Sequence, residues 1–431
     1  MNRFLILLAG LAAAWTGAHA EVWTYADCVN YAETHNIPLM KTRLAEQTAD
    51  ISLSEAEAQW QPSLDFSTSH GYSNYPWGTG ARNSYTSNYG FNAAWTVWDG
   101  GSRENNIRRD KLGSQMSRIN TDAAVRSLRT DILQVYLNIL YARESIAVYE
   151  EMAQLSNAQA ERAKALMEAG KASRVDYAQL RSQAEQDNYA LVNARGTLST
   201  RCIELKQLLS LGIEQDVTPA DVDWTTDQIM AALPPIDESY QLALDTDLEL
   251  RSLDLARESS EIDEKIARAG RMPKIALTAG VGTGYVAPGN SFGTSMKQNF
   301  GEQIGLSLSV PIFDNKKTLA AVGKARVQTV GAELDIDQRR VSLAQQVENW
   351  YVDTRTAQSR YTAALEQLSA AEATDALTAE KFELGYVDPI ELMSAHNALT
   401  EARHTVLQAK YMAVLGMKMI EYYRTADITL N

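Results

Sequence analysis

One constant offset constrains this chain more than any motif in it. Asp99 and Asp314, Tyr136 and Tyr351, Gly170 and Gly385, and Asp176 and Glu391 all stand 215 residues apart. Upstream the offset is 211, matching Ala32 to Ala243, Asn36 to Asp247 and Pro62 to Pro273. The chain is therefore a duplication whose copies differ in length only between the matched prolines and the matched aspartates. That interval reads as strand, loop, strand, and loop tips tolerate insertion. Each copy has the same order: short helix, strand, loop, strand, very long helix, turn, return helix. The first copy covers residues 21–229, with strands at about 62–74 and 87–98, a long helix at 102–169 and a return helix at 173–211. The second covers 230–431, with strands at about 273–286 and 303–313, a long helix at 315–384 and a return helix at 388–424.

The strands alternate. Leu64, Phe66 and Tyr72 share one face of the first, and Tyr89, Phe91, Ala93, Trp95 and Val97 one face of the second. Ile275, Leu277, Ala279, Val281 and Tyr285 do so in the third, and Ile304, Leu306, Leu308, Val310 and Ile312 in the fourth. The opposite faces are small or polar, as at Ser67, Asn92, Thr278 and Ser307. A half-buried soluble sheet has this pattern, and so does an outer-membrane barrel. Trp60, Tyr75, Trp77, Tyr85 and Trp98 near the strand ends favour the barrel. Four strands cannot close one, because open edges are not tolerated in lipid. The barrel must be shared: two chains give eight strands, three give twelve.

The helices exceed a globular domain. Residues 77–218 and 312–388 hold no proline, so long helices are the natural reading. The first would run about 100 Å. Along it Val125, Leu128, Ile132, Val135, Ile139, Ala142, Ile146 and Tyr149 keep a coiled-coil spacing that continues to Met167. The second carries Arg340, Thr354, Asp375 and Thr378 at matching places and is expected to show more of itself to water.

A basic start, an apolar run from Phe4 to Trp15 and Ala18-His19-Ala20 before Glu21 read as a secretory leader over 1–20. No later stretch reaches the roughly 18 apolar residues of a spanning helix. With 54 Asp+Glu against 40 Lys+Arg and a net charge of −14, nucleic acid is not an expected partner. Cys28 and Cys202 either pair with each other or stay free. His396 and His404 lie two helical turns apart, too far to share a metal alone. No phosphate loop or nucleophile elbow appears, so neither catalysis nor a cofactor nor a metal is expected.

A leader, a tandem repeat, strand pairs ending in "VWDGG" or "IFDNK", and long helices closing on "EAGKASRVDY" or "ELGYVDPIEL" resemble the TolC-like outer membrane factors. The resemblance spans nearly all of the mature chain. It implies a mainly α fold with a transmembrane β part: a homotrimer whose twelve-stranded β-barrel in outer-membrane lipid continues into a twelve-helix periplasmic α-barrel. It implies an exit duct for a tripartite efflux pump or a type I secretion system, working with a periplasmic adaptor protein and an inner-membrane transporter. Asp99, Gly100, Asp314 and Asn315 would form the turns where one barrel becomes the other. Gly170, Lys171, Gly385, Tyr386 and Asp388 would form adaptor-docking tips, and Glu391, with Ser394 and Asp176, the periplasmic constriction. Ser394 and Val387 depart from the acidic and basic residues the best-known pattern has there, so a single Glu391 ring is expected to attract cations weakly. From the residues alone, Ser173 with Asp176 and Asp388 with Glu391 also read as helix capping boxes. A soluble periplasmic coiled-coil adaptor of the membrane fusion type is the alternative. It accounts for the helices but not for the four matched strands or the duplication.

Overall fold

The structure, a computed structural model, describes residues 22–77, 82–289 and 291–430. The leader read over residues 1–20 lies outside them. In chain order the elements are β1 (Val22–Trp23), α1 (Tyr25–His35), α2 (Ile37–Ala58), β2 (Ser63–Asn74), β3 (Asn83–Trp98), α3 (Ser102–Glu168) and α4 (Arg174–Leu209). There follow β4 (Thr218–Pro219), α5 (Thr226–Ile229), α6 (Ile236–Thr246), α7 (Leu248–Ala269), β5 (Lys274–Ala287) and α8 (Phe292–Gln298). β6 (Gly301–Ser309), α9 (Lys317–Glu383) and α10 (Pro389–Thr425) complete the second copy. The chain divides into two compact units. One comprises Met1–Met40, Ala124–Thr246 and Ser342–Asn431, the other Lys41–Ala123 and Asp247–Val341. Among the described residues no helix is long and apolar enough to cross a membrane.

The second of these units holds an antiparallel sheet in the order β2-β3-β5-β6, with β2 and β6 at its edges. Its register brings the alternation of all four strands into phase. Leu64 faces Ala93, Ala93 faces Ala279 and Ala279 faces Ile304, while one step along, Asp65, Asn92, Gly280 and Gln303 form a polar row. One face is therefore apolar and the other polar and small. Leu64, Phe66, Tyr72, Ile304, Leu306 and Leu308 are all exposed within the chain. An apolar band this extensive needs a cover. The alternation expected at the end of β3 breaks between Thr96 and Trp98, so that Trp98, not Val97, faces Ile275. The extra residue is a bulge, which bends a strand where it leaves the sheet. Arg103, at the start of α3, lies 3.8 Å over the Trp60 ring and donates to the carbonyls of Gln59 and Thr96. It thereby fixes α3 to the strand ends.

In the first unit, α1, the middle of α3, the end of α4, and parts of α9 and α10 share one core. Tyr136 is fully buried there, and its hydroxyl donates to the carbonyls of Trp23 and Ala220, which closes the small β1-β4 pair. Cys28 is in this core and Cys202 packs against it, both as free thiols. Burial pushes the Cys28 thiol up to about 12, which keeps it protonated and unreactive. The greater exposure expected of the second long helix holds only in part. Val327, Val330, Leu334 and Val352 of α9 are exposed, but Thr354 and Thr378 are buried. Thr354 is tolerated inside because its hydroxyl donates to the Trp350 carbonyl at 2.6 Å.

Candidate functional site: junction turns and helical tips

At both junctions the chain turns through two consecutive left-handed residues. They are Gly100 (φ 76°) and Gly101 (φ 83°) in the first copy, Asn315 (φ 52°) and Lys316 (φ 66°) in the second. The aspartate before each pair caps the helix after it. Asp99 Oδ2 accepts from the Arg103 N–H and Asp314 Oδ2 from the Thr318 N–H, each at 2.8 Å. Glycine meets the positive φ without strain, and asparagine is the next best suited residue. The hydrogen bonds from Thr318, side chain first and then backbone, hold the Asp314 carboxyl below its ordinary 3.8. A depressed carboxylate stabilises the fold above its unfolded-state value and loses that contribution as pH falls through the folded one. Asp314→Ala is therefore expected to lower the unfolding temperature near pH 6, with the gap to the native chain narrowing on acidification below about pH 4. A gap independent of pH would show that the charge of Asp314 plays no part.

The distal tips repeat each other equally closely. Gly170 (φ 73°) ends α3 with its N–H donating to the Met167 carbonyl at 2.9 Å and that of Lys171 to Leu166 at 2.8 Å. Gly385 (φ 78°) ends α9 with donation to Phe382 at 3.1 Å, and Tyr386 to Lys381 at 2.9 Å. This is the Schellman pattern, which satisfies the last carbonyls of a helix through one αL residue. A Cβ at either glycine would meet nothing within 4 Å, so the backbone angle, not crowding, requires glycine.

The two return helices begin differently. Ser173 accepts from the Asp176 N–H at 3.0 Å and Asp176 Oδ2 accepts from the Ser173 N–H at 3.1 Å, a complete capping box. At α10, Asp388 accepts from the Glu391 N–H at 2.9 Å with Pro389 in the first turn, but the return bond from Glu391 expected from the sequence is missing. With Asp388 as cap, a second carboxylate folded onto the same helix end would face the first, and like charges there repel. Asp176 is thus engaged and half-buried. Glu391 and Ser394 are exposed, and the Glu391 carboxylate has no hydrogen-bond partner among the described residues.

Behind the tips lies a thin core of Ala160, Ala163, Leu180, Ala184 and Leu392. Next comes a buried polar layer that sequence reasoning missed. His396 Nε2 lies 3.0 Å from Asp187 Oδ2, and Gln183 Nε2 donates to Asp187 Oδ1 at 3.0 Å and to Asn397 Oδ1 at 2.9 Å. His396, 1% exposed, and the buried Gln183 and Asp187 join α4 to α10 out of water, while Asn397 at the end of the layer is exposed. An aspartate and a histidine at core positions of otherwise apolar helix faces were the available signal. Around the turns Val175, Leu384, Tyr386 and Ile390 are exposed apolar side chains, of which only Tyr386 stood out in the sequence. Arg162 of α3 pairs with Glu383 at the end of α9. Among the described residues no group of three or more His, Cys, Asp or Glu could hold a metal ion.

Known proteins resemble this chain in sequence and in fold. The family described as outer membrane efflux protein matches residues 29–211 and 239–414, one stretch in each copy. The chain is 22% identical over 437 residues to the outer membrane efflux protein BepC of Brucella suis, covering 97% of this chain and 92% of BepC. It is 23% identical over 446 residues to the outer membrane protein TolC of Escherichia coli, covering 100% and 87%. The crystal structure of the Campylobacter jejuni CmeC outer membrane channel superposes with a TM-score of 0.79 at 17% identity, over 93% of this chain and 85% of that one.

Proposed function

Because the chain belongs to the outer membrane efflux protein family, we propose that it is the outer-membrane exit duct of a tripartite efflux pump or a type I secretion system, assembled from three copies. Family membership places it in the outer membrane with its helices in the periplasm, and sets aside the soluble adaptor reading. The observation that carries the trimer is the sheet: four strands in register, apolar on one exposed face, with β2 and β6 as edges. In lipid those edges must pair, and β2 of one copy against β6 of the next removes every edge. Three copies give twelve strands. The duct is passive, and its cargo is chosen by the inner-membrane transporter and the adaptor. The adaptor docks on the turns at Gly170-Lys171 and Gly385-Tyr386, where Val175, Leu384 and Ile390 add apolar surface.

Mass measurement of the detergent-extracted protein is expected to give three chains, and the same material to conduct ions in planar bilayers. A conducting monomer or dimer, or a mature chain soluble without detergent, would refute the proposal.

Glu391, free of capping duty, is the residue for the constriction. Three carboxylates brought together around a pore within a Debye length of roughly 8 Å attract cations, and Gln removes that attraction. Glu391→Gln is expected to leave the unfolding temperature unchanged while reducing cation selectivity and block by multivalent cations. Unaltered selectivity would move the constriction elsewhere, and since Asp176 is held in its box, an Asp176→Asn change would then have to be tested for both properties.

A further inference from the structure

The apolar face of the sheet carries one acid. Glu302 on β6 faces Val281, which faces Phe91, which faces Phe66, so its carboxylate stands in an apolar row where the proposed barrel meets lipid. It is exposed and makes no hydrogen bond or ion pair among the described residues. A carboxylate taken out of water needs a partner. Among the described residues on that face of β2, β3, β5 and β6, one side chain can carry a positive charge, His70 on β2. Within the chain the two stand on opposite edge strands, three strand spacings or about 14 Å apart. His70 Nδ1 lies 2.9 Å from Tyr85 Oη on β3, and Nε2 lies 3.2 Å from Thr68 Oγ1 on β2 itself. The second nitrogen thus stays on the edge strand.

Closing the barrel sets these two edges side by side, with a stagger at each seam. For twelve strands about 4.8 Å apart, rising about 3.4 Å per residue and tilted by about 35–45°, the stagger comes to about four to six residues per copy. It must be even, since an odd one would turn the apolar face inward. In one direction a stagger of four leaves β6 only Gly301 against Ser63. In the other it sets residues 301–309 against 71–63, and a stagger of six sets them against 73–65, so that all of β6 is paired. At four, Glu302 is directly opposite His70, with Cβ atoms about 5 Å apart. At six it is opposite Tyr72 and diagonal to His70, still within reach of a long side chain. We infer that Glu302 of one copy bonds His70 of the next across each seam, the imidazole N–H donating to the carboxylate. The pair presupposes the assembly of three copies. It satisfies the one acid on the lipid-facing surface and selects the register, because Ile304, Leu306 and Leu308 against Leu64, Phe66 and Thr68 would fit any even stagger.

The test uses the full mature chain with Cys202→Ala and the buried Cys28 left in place, oxidised in the membrane and then extracted. Glu302→Cys with His70→Cys, or with Tyr72→Cys for the larger stagger, is expected to give covalent dimers and trimers on denaturing gels. Glu302→Cys with Phe66→Cys is expected to give monomers only. Two such cysteines in one chain are too far apart to join, so every crosslink runs between copies. Crosslinking through Phe66→Cys, or through none of the three, overturns the register. The bond itself is read from the rate at which the extracted trimer dissociates at a fixed temperature. His70→Phe is expected to raise that rate by about tenfold or more, because it leaves a carboxylate unpaired. Adding Glu302→Leu is expected to bring it back to within about threefold of the native rate, since neither charge then remains. A double variant as fast as His70→Phe overturns the bond. A native chain that is not three copies by mass would sink the trimer reading instead, whereas a native trimer without the crosslinks sinks the seam pair alone. Should the cysteine variants fail to assemble, the dissociation rates decide.

Discussion

Replacing Gly100 with alanine is expected to strip the outer membrane of assembled protein. Gly100 sits at φ 76°, where a side chain costs about 1–2 kcal/mol. The added Cβ would lie 2.4 Å from the Met272 Cβ and 3.0 Å from the Ala269 carbonyl oxygen. Neither neighbour can turn away, because a Cβ is fixed to its backbone and the carbonyl ends α7. The end of α7 must shift instead, which adds the roughly 1–3 kcal/mol of overpacking. Gly101 provides the control. It has φ 83°, but its nearest neighbour would be Asn105 Nδ2 at 3.8 Å, so Gly101→Ala carries the strain without the collision. Unfolding temperature and the yield of detergent-extracted protein should fall far more for Gly100→Ala. Equal falls would show that the contact with α7 is unimportant.

The second large effect has the opposite sign from the usual rule. Glycine to alanine inside a helix ordinarily stabilises by about 0.5–1 kcal/mol. Gly416 in α10 is the exception, because an added Cβ would stand 2.1 Å from Thr354 Oγ1, 3.0 Å from its Cβ and 3.2 Å from its Cα on α9. The Thr354 hydroxyl is tied to the Trp350 carbonyl, so it cannot rotate clear without leaving a buried group unpaired. Gly416→Ala is expected to destabilise by about 1–3 kcal/mol. Thr354→Ala in the same chain removes the nearest atom and leaves the Cβ, so the double variant should recover part of the loss. The two changes are then coupled by about 1 kcal/mol or more in a double-mutant cycle. Additive losses would show that the helices do not meet at this pair.

How much of this was legible in the sequence differs by element. The repeat offset and the alternation located the sheet, because a period of two on an exposed apolar face survives any tertiary context. The junction turns were legible in Asp99-Gly100-Gly101, since glycine pairs after a strand advertise positive φ. At the second junction Asp314 and Asn315 read as the turn, but the left-handed backbone at Lys316 did not, because lysine carries no such signal. The Schellman glycines were visible for the same reason as Gly100. The half-made cap at Glu391 was not, because a capping box is a pattern of residue types and says nothing of two carboxylates competing for one helix end. The Asp187–His396 layer and the Gly416–Thr354 contact pair residues far apart in the chain. Nothing local marks them, and only the packing of α10 on its neighbours brings them together.

The pairing of β3 with β5 has a kinetic consequence. Phe91 meets Val281 only after α3, α4 and everything up to α7 has been synthesised, so the middle of the sheet is the most non-local contact of its unit. Each hairpin, β2 with β3 and β5 with β6, closes a short loop and can form early. Joining them requires a far longer loop closure, and such contacts come late and slowly. Helical segments, whose hydrogen bonds are local, are ordered sooner. The chain is therefore expected to cross the aqueous compartment with its helices forming and its two hairpins unjoined, presenting apolar strands to any holding chaperone. The sheet that is last to complete is the part that must not complete in water.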